Sequence, residues 1–568
     1  MRSLDTDILI LGSGGAGLFA ALHAHKAAPR RSITVAVKGL LGKCGCTRMV
    51  QGGYNVALAK EDSIERHFMD TIEGGKWLPD QDLAWMLVTL AVERIHELEN
   101  ELGCFFDRNP DGTIHQKAFA GQTFDRTVHK GDLTGIEIIN RLAEQVWVRH
   151  IDRLEEHRAV ELIRSKNQQS ISGVLFIDMR TGEYLFVRAK AVLLATGGGP
   201  TMYKYHTPSG DKTCDGLAMA LRAGLPLRDM EMVQFHPTGL LAGTHTRMTG
   251  TVLEEGLRGS GGYLLNGARE RFMTRYDPKA ERATRDVVSR AMFSEVLKNN
   301  TTPHGGLYIS MAHLGAERVR REFKGMVERC ADCGFDLAGG LVEVIPTAHY
   351  MMGGVEFAAD CSTALHGLFV AGEDAGGVHG ANRLGGNGVA NSTVFGAVAG
   401  DRMAAFVEKE AFRDPDSAAI ESTVSLCNSP FRKSHGEDLE TIRERLYDTM
   451  WQKVGIIRDA RGLAEAAGEL AQLETALDAA GLADDHRAFN LTWHDWLNLK
   501  NLVQVSRAIT AAAAARTDSR GAHFRSDFPE AGPLEHSAFS SITHERVSMK
   551  PVAFTRVRPG QTLLRNAA

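Results

Sequence analysis

The chain has 568 residues, which at roughly 150 per domain is enough for about three to four units. It is 43% hydrophobic and 24% charged, so it can bury a sizeable core and is not disordered as a whole. Lys+Arg 65 against Asp+Glu 70 leaves −5, which gives no electrostatic footprint for nucleic acid.

Eight cysteines are too few and too scattered for a disulfide framework. No apolar run reaches 18 residues, so no direct membrane span is expected. The start, MRSLDTD, is acidic where a signal peptide turns apolar. These features together imply a reduced, cytoplasmic protein. Glycine is the outlier, with 59 residues where about 40 are expected at ~7% usage. Many fall in clusters (14–15, 52–53, 197–199, 353–354, 376–377, 385–386), as where a backbone closely approaches a ligand.

In chain order, DILIL (7–11) reads as a buried strand, GSGGAG (12–17) as a glycine turn and LFAALHAHKAA as a helix. ITVAV (33–37) reads as a second strand. Gly12, Gly14 and Gly17 make G-x-G-x-x-G between strand and helix, with Gly15 and Ala16 inside the turn. Such a turn lets a pyrophosphate approach the helix N-terminus. The second strand ends Val37-Lys38-Gly39, without the carboxylate that usually holds a ribose, which weakens an NAD reading. Residues 83–102 form an amphipathic helix carrying Leu83, Met86, Leu87, Leu90, Leu98 and Leu102, with Gly103 as its stop. A β-rich stretch (170–188) leads to AVLLATGGG (191–199), a parallel strand opening into a second glycine crevice with Thr196, Gly197 and Gly198. Residues 236–345 change texture to mixed helices and loops, and LHGLFVAGEDAGG (365–377) resumes the earlier style. The first domain is therefore interrupted by an insertion, and separated segments contributing to one dinucleotide site favour FAD. From 412 the pattern turns helical and charged, and the last ~50 residues lack periodicity.

Five motifs then occur in order: QFHPTG (234–239), EEGLRGSGGYLLN (254–266), RDVVSR (285–290), TAHYMMGG (347–354) and HGANRLGGN (379–387). With SRGAHFRSDFP (519–529), they resemble the succinate dehydrogenase/fumarate reductase flavoprotein family, which includes L-aspartate oxidase. The resemblance implies an α/β fold. A Rossmann-like FAD-binding domain (1–235 and 346–411) is interrupted by an α+β capping domain (236–345). A helical domain (412–518) and a C-terminal tail (519–568) follow.

His236, His349 and Arg383 are donors suited to clamping carboxylates, and by resemblance each matches a position that binds the dicarboxylate. Arg285 matches the proton-transferring arginine and Glu255 the acid that relays protons to it. Gln51, Gly52 and Gly53 match a loop beside the flavin ring. Glu373 matches an acid near the ribityl or ribose hydroxyls, and Asp215 a further flavin-proximal position. Lys38, Thr47, Gly372, Gly386, Asn387 and Gly388 complete the expected FAD contacts, and residues 126–135 form a further FAD-side segment.

Three residues depart from the family pattern. Cys46 stands where many members carry the histidine that attaches FAD, so noncovalent FAD is expected. Glu254 replaces a Thr or Ser whose hydroxyl holds a substrate carboxylate. Gly388 replaces a common serine. Cys330 and Cys333 form a single C-x-x-C with no second pair, so no metal site is expected and electrons bound for a quinone need a separate partner.

The resemblance implies hydride transfer between flavin and a C–C bond of a small carboxylic acid of the succinate/fumarate type. It also implies a membrane anchor and an iron–sulfur subunit, which would hold the protein at the inner face of the cell membrane. The alternatives are an L-aspartate oxidase-like enzyme acting on a C–N bond, and a non-catalytic FAD-fold protein.

Overall fold

The structure is a computed structural model that describes every residue except 244–245, 434–435 and 565–568. Its central sheet places Arg2–Leu11 between Ile33–Ala36 and Tyr184–Leu194, all parallel, with Leu11 paired to both Ala36 and Leu194. Asp152–Leu154 continues one edge and Leu368–Val370 pairs with Tyr184–Leu194, also parallel. Two antiparallel strands, Ile171–Asp178 and His157–Arg164, extend the sheet on the other side. The run Ile8–Leu11 is buried throughout because both sheet faces are covered, which is why it shows no polar alternation.

The helix Gly15–Ala27 packs along Asn387–Val407 through small residues. A Cβ at Gly396 would lie 2.6 Å from the Ala16 carbonyl oxygen, and one at Gly400 2.4 Å from that of Ala20. The glycines therefore set how closely the two backbones approach, and this pairing joins the N-terminal strand unit to the segment that returns after the insertion.

The insertion carries its own antiparallel sheet, in the order Val233–Leu240, Val342–Met351, Leu307–Ser310, Tyr263–Leu265. Its core holds Leu240, Leu253, Leu264, Met292, Leu307 and Val344. Both junctions anticipated from texture, at 235/236 and 345/346, fall inside strands of this sheet. The sequence hides the first strand because Pro237 and register shifts after Gln234 and His236 break its alternation.

The later helices Ser417–Cys427, Leu439–Lys453, Ala460–Ala479 and Leu491–Ala515 each start at a capping side chain: Asp416, Asp438, Asp459 and Asn490. Trp493 and Trp496 are buried among them. The tail, aperiodic in sequence, forms a hairpin (Ala538–Thr543 with Arg546–Pro551) whose first strand pairs with Leu227–Arg228. Its partner strand lies some three hundred residues upstream, so no local pattern announces it. The SRGAH segment folds back on this chain: Arg520 and His523 are buried, and Arg458 Nη1 lies 2.8 Å from His523 Nδ1. No helix among the described residues is long and apolar enough to cross a membrane.

Candidate active site

One continuous cavity of about 770 Å³ runs from the first glycine turn to the cap sheet. Gly12 (φ +112°) lines it where an added Cβ would fall 2.2 Å from the Ala195 carbonyl oxygen. A Cβ at Gly17 would meet the Gly12 carbonyl oxygen at 2.0 Å, so Gly17 serves helix–turn packing and lies behind the wall. The helix beginning at Gly15 has no side-chain cap and no acid in its first turn, and the Gly15 N–H donates to Thr47 Oγ1 at 3.1 Å. No acid therefore opposes an anion at this helix start, and Thr47 is the one side chain that meets its first N–H among the described residues.

The second glycine crevice is tied down by Asp374, whose carboxylate accepts from the Thr196 N–H (2.5 Å), the Gly198 N–H (2.9 Å) and the Thr196 hydroxyl. Glu373 next to it accepts from Lys212 Nζ at 2.8 Å and the Met351 N–H at 3.0 Å. Burial works against the Lys212 charge, but the acidic groups around it, Glu373 and Asp374 among them, outweigh it and raise its pKa. Lys38 donates to Asp215 (2.8 Å) and Thr213 (2.9 Å), while Arg158 and Asn501 also donate to Asp215. Asp215 is therefore a fully engaged anchor in the wall, held well below the usual carboxylate range by Lys38 and Arg158 against burial.

Gly12, Gly14, Gly15, Ala16, Lys38, Cys46, Thr47, Gln51, Gly52, Gly53, Thr196, Gly197, Asp215, Gly372, Glu373, Gly386 and Gly388 all line the cavity. Gly198 sits just behind it, and Asn387 departs from expectation. Its Oδ1 lies 3.0 Å from His67 Nε2 and accepts from Asn55 Nδ2 at 2.9 Å. Asn387 opens a long helix, which turns its side chain toward the neighbouring helix Ile64–Gly74 while Gly386 and Gly388 face the cavity. Of the segment 126–135, Asp132 and Leu133 reach the wall, whereas Arg126 is buried in ion pairs with Asp62 and Asp70.

His236, Glu255, Arg285, His349 and Arg383 line the other end of this cavity. Arg285 is placed at the start of a helix, Arg285–Leu297, and reaches Glu255 Oε2 with Nη2 at 2.7 Å. Its Nη1 donates to Gln234 Oε1 at 3.0 Å. From the far side Arg258, fully buried, donates to Glu255 Oε1 at 2.8 Å. Burial would raise the Glu255 pKa, but Arg285 and Arg258 outweigh it and hold it below the usual carboxylate range. Glu255 is thus a charged bridge between two guanidinium groups.

The Nδ1 of His236 accepts from the Thr238 N–H at 3.3 Å, which leaves Nε2 to carry the proton. Burial and the nearby Arg285 push His236 and His349 well below the ordinary imidazole range, so both stay neutral. Their ring centroids are 5.3 Å apart. His349 Nδ1 lies 2.7 Å from the Thr207 hydroxyl. Arg383 sits over the Tyr350 ring at 4.4 Å, with its pKa lowered to about 10 by burial and Arg285, and its Nε has no partner among the described residues. A Cβ at Gly388 would stand 2.9 Å from Arg383 Nη1, so the glycine leaves that guanidinium room.

Gln234, Arg258, Tyr350, Lys212 and Asp374 carry much of this geometry and were not singled out by sequence. Gln234 and Arg258 lie inside the quoted motifs, two residues from His236 and three from Glu255. Their spacing was the available signal.

A family model for the FAD binding domain matches residues 7–389, and one for the fumarate reductase flavoprotein C-terminus matches 443–563. The chain belongs to the succinate dehydrogenase/fumarate reductase flavoprotein family.

This flavoprotein is 40% identical over 536 residues to a fumarate reductase (CoM/CoB) subunit of Methanothermobacter marburgensis, covering 93% of this chain and 95% of that one. It is 34% identical over 550 residues to the fumarate reductase flavoprotein subunit of Escherichia coli, covering 93% and 89%. Its fold superposes on the flavoprotein of Escherichia coli quinol fumarate reductase with TM-score 0.92 at 31% identity, covering 99% of each chain. The protein is an FAD-dependent oxidoreductase of this fold. The residues present fit FAD: a helix N-terminus with no acid in its first turn for the pyrophosphate, a glycine-walled channel, and the cations Arg285 and Arg383 lining the same cavity.

Proposed function

We propose that this chain is the catalytic flavoprotein subunit of a complex that interconverts fumarate and succinate. The array Arg258–Glu255–Arg285, opening into the same cavity as His236, His349 and Arg383, carries this reading.

FAD, when bound, supplies the two-electron chemistry. Gly14, Gly15 and Thr47 would hold its pyrophosphate, and the Gln51–Gly53 loop would lie along its ring. Arg383 and His349 bind one substrate carboxylate, and His236 Nε2 binds at the other end. These contacts fix the substrate's two central carbons relative to Arg285. Arg285 holds the proton exchanged at one of those carbons. A guanidinium is a poor acid in water, where its pKa exceeds ~12. Buried beside Glu255, it can be reprotonated at once through Glu255 and Arg258. Gln234 Oε1 fixes Arg285 Nη1, so the proton leaves from a defined position.

The Methanothermobacter marburgensis and Escherichia coli relatives are each one subunit of a larger fumarate reductase, which supports a multi-subunit assembly. Following those multi-subunit relatives, we assign onward electron transfer to an iron–sulfur subunit, with a membrane anchor holding the complex at the inner face of the cell membrane.

The test is fumarate-dependent oxidation of reduced benzyl viologen by the FAD-loaded chain. Turnover with fumarate that vanishes in Arg285→Ala supports the reading. No turnover with fumarate or succinate, with the flavin in place, contradicts it.

A further inference from the structure

At the substrate end of the cavity stands a carboxylate that the proposed chemistry does not use. Glu254 precedes Glu255 and lines the same cavity as His236 and Arg285. Its side chain is 7% exposed. Oε2 is 3.3 Å from Lys117 Nζ, and Oε1 accepts no hydrogen bond from any described residue.

The Lys117 charge is shared, because the same Nζ donates to the Gly131 carbonyl oxygen at 3.3 Å. The other charged groups facing Glu254 are Asp132, in the turn before Thr134–Val148, and Arg329, on Lys324–Asp332. Arg329 is already occupied in part by the Val252 carbonyl oxygen at 3.2 Å. On its own segment the neighbouring acid, Glu255, is neutralised by Arg258 and Arg285. Glu254 is therefore a cavity-lining carboxylate with one shared cation as its direct partner and one oxygen that accepts no hydrogen bond from a described residue.

An ionised Glu254 would repel a substrate carboxylate in this confined space, whereas its protonated form would donate a hydrogen bond to it. We propose that Glu254 is a specificity-determining residue that takes up one proton when a dicarboxylate binds, so that the pocket accepts the dianion only with a proton. This rests on the dicarboxylate reading above. Burial first, and Asp132 next among the opposing charges, raise the Glu254 pKa against Lys117 and Arg329, which makes that proton accessible.

By linkage, fumarate affinity should fall about tenfold per pH unit once the free enzyme's Glu254 is ionised. The experiment is isothermal titration calorimetry of fumarate into the oxidised, FAD-loaded protein, in buffers of different ionisation enthalpy, from about pH 5.5 to about 8.5. Uptake approaching one proton at the alkaline end, abolished in Glu254→Gln together with the affinity slope, is the expected result. The wild-type proton count stands even if that variant folds poorly. Binding with no proton uptake and a flat affinity profile overturns the proposal. So does uptake that persists in a folded Glu254→Gln protein. If neither fumarate nor succinate binds at any pH while FAD stays in place, the dicarboxylate reading itself fails and this inference falls with it. Tight pH-independent binding of an acid bearing an ammonium or hydroxyl group would mean that ionised Glu254 serves as an acceptor, and would also overturn it.

Discussion

Arg285 Nη2 lies 2.7 Å from Glu255 Oε2, and the two side chains, 7% and 2% exposed, meet at the wall of the cavity. Arg258 closes the other side of the same carboxylate. A buried carboxylate between two guanidinium groups is costly to break from either side, because removing one partner strands the others. The cap therefore holds the Arg285 guanidinium in a fixed place.

Arg285→Lys keeps a cation but loses the forked contact to Glu255 and the second contact to Gln234. Its kcat for fumarate should fall by about 10²–10⁴-fold. The bound-flavin spectrum should be unchanged. Glu255→Gln should cost a similar factor, with the loss read in kcat more than in KM. An unchanged kcat in Arg285→Lys would remove Arg285 from the proton path, and an unchanged kcat in Glu255→Gln would remove Glu255 as its relay.

Asp374 anchors the second glycine crevice through two backbone N–H groups and a threonine hydroxyl. Asp374→Ala strands buried donors beside the cavity, at a cost of roughly 2–4 kcal/mol. Its thermal midpoint should drop, and the flavin-to-protein ratio after gel filtration should fall. Full flavin occupancy would show that the crevice holds its shape without this carboxylate.

The Cys46 thiol is pushed up to about 11 by burial, so at neutral pH it is protonated and a weak nucleophile. Acid precipitation of the holoprotein should leave a colourless pellet and FAD in the supernatant. Cys46→Ser should bind FAD equally well. A yellow pellet that becomes colourless only in the variant would establish a cysteinyl link.

His23 joins three helices, with Nδ1 3.1 Å from Asp401 and Nε2 3.1 Å from Glu97. Burial disfavours its charge, but Asp401 and Glu97 outweigh burial and raise its pKa above 6.5. A raised folded-state pKa stabilises fully below the unfolded value and loses that contribution as pH climbs through the folded value. The gap in thermal midpoint between wild type and His23→Gln should be largest near pH 6 and shrink toward about pH 9. A gap independent of pH would assign His23 to packing alone.

The first glycine turn was legible because three physical demands, a buried strand, a tight turn and an acid-free helix start, leave their marks within eleven consecutive residues. His236, His349 and Arg383 were legible as motif residues, but not their convergence. That depends on a cap sheet pairing His236 with Thr347, more than a hundred residues later. The division of labour between Glu373 and Asp374 was invisible for a different reason. Adjacent acids in a short 3₁₀ turn, Gly372–Asp374, point in different directions, and the sequence does not say which one faces the cavity. Asn387 shows the same limit one residue from Gly386. The tail hairpin had no local signature at all, since what fixes it is a distant edge strand.

In the proposed reaction two electrons pass between bound FAD and a dicarboxylate. The most direct measurement is anaerobic stopped-flow of the FAD-loaded protein, following the flavin's visible absorbance. Dithionite-reduced protein mixed with fumarate should recover its oxidised spectrum rapidly, and Arg285→Ala should not. Rapid bleaching of the oxidised protein by L-aspartate, with no response to fumarate or succinate, would contradict the account and make this an amino-acid-oxidising enzyme.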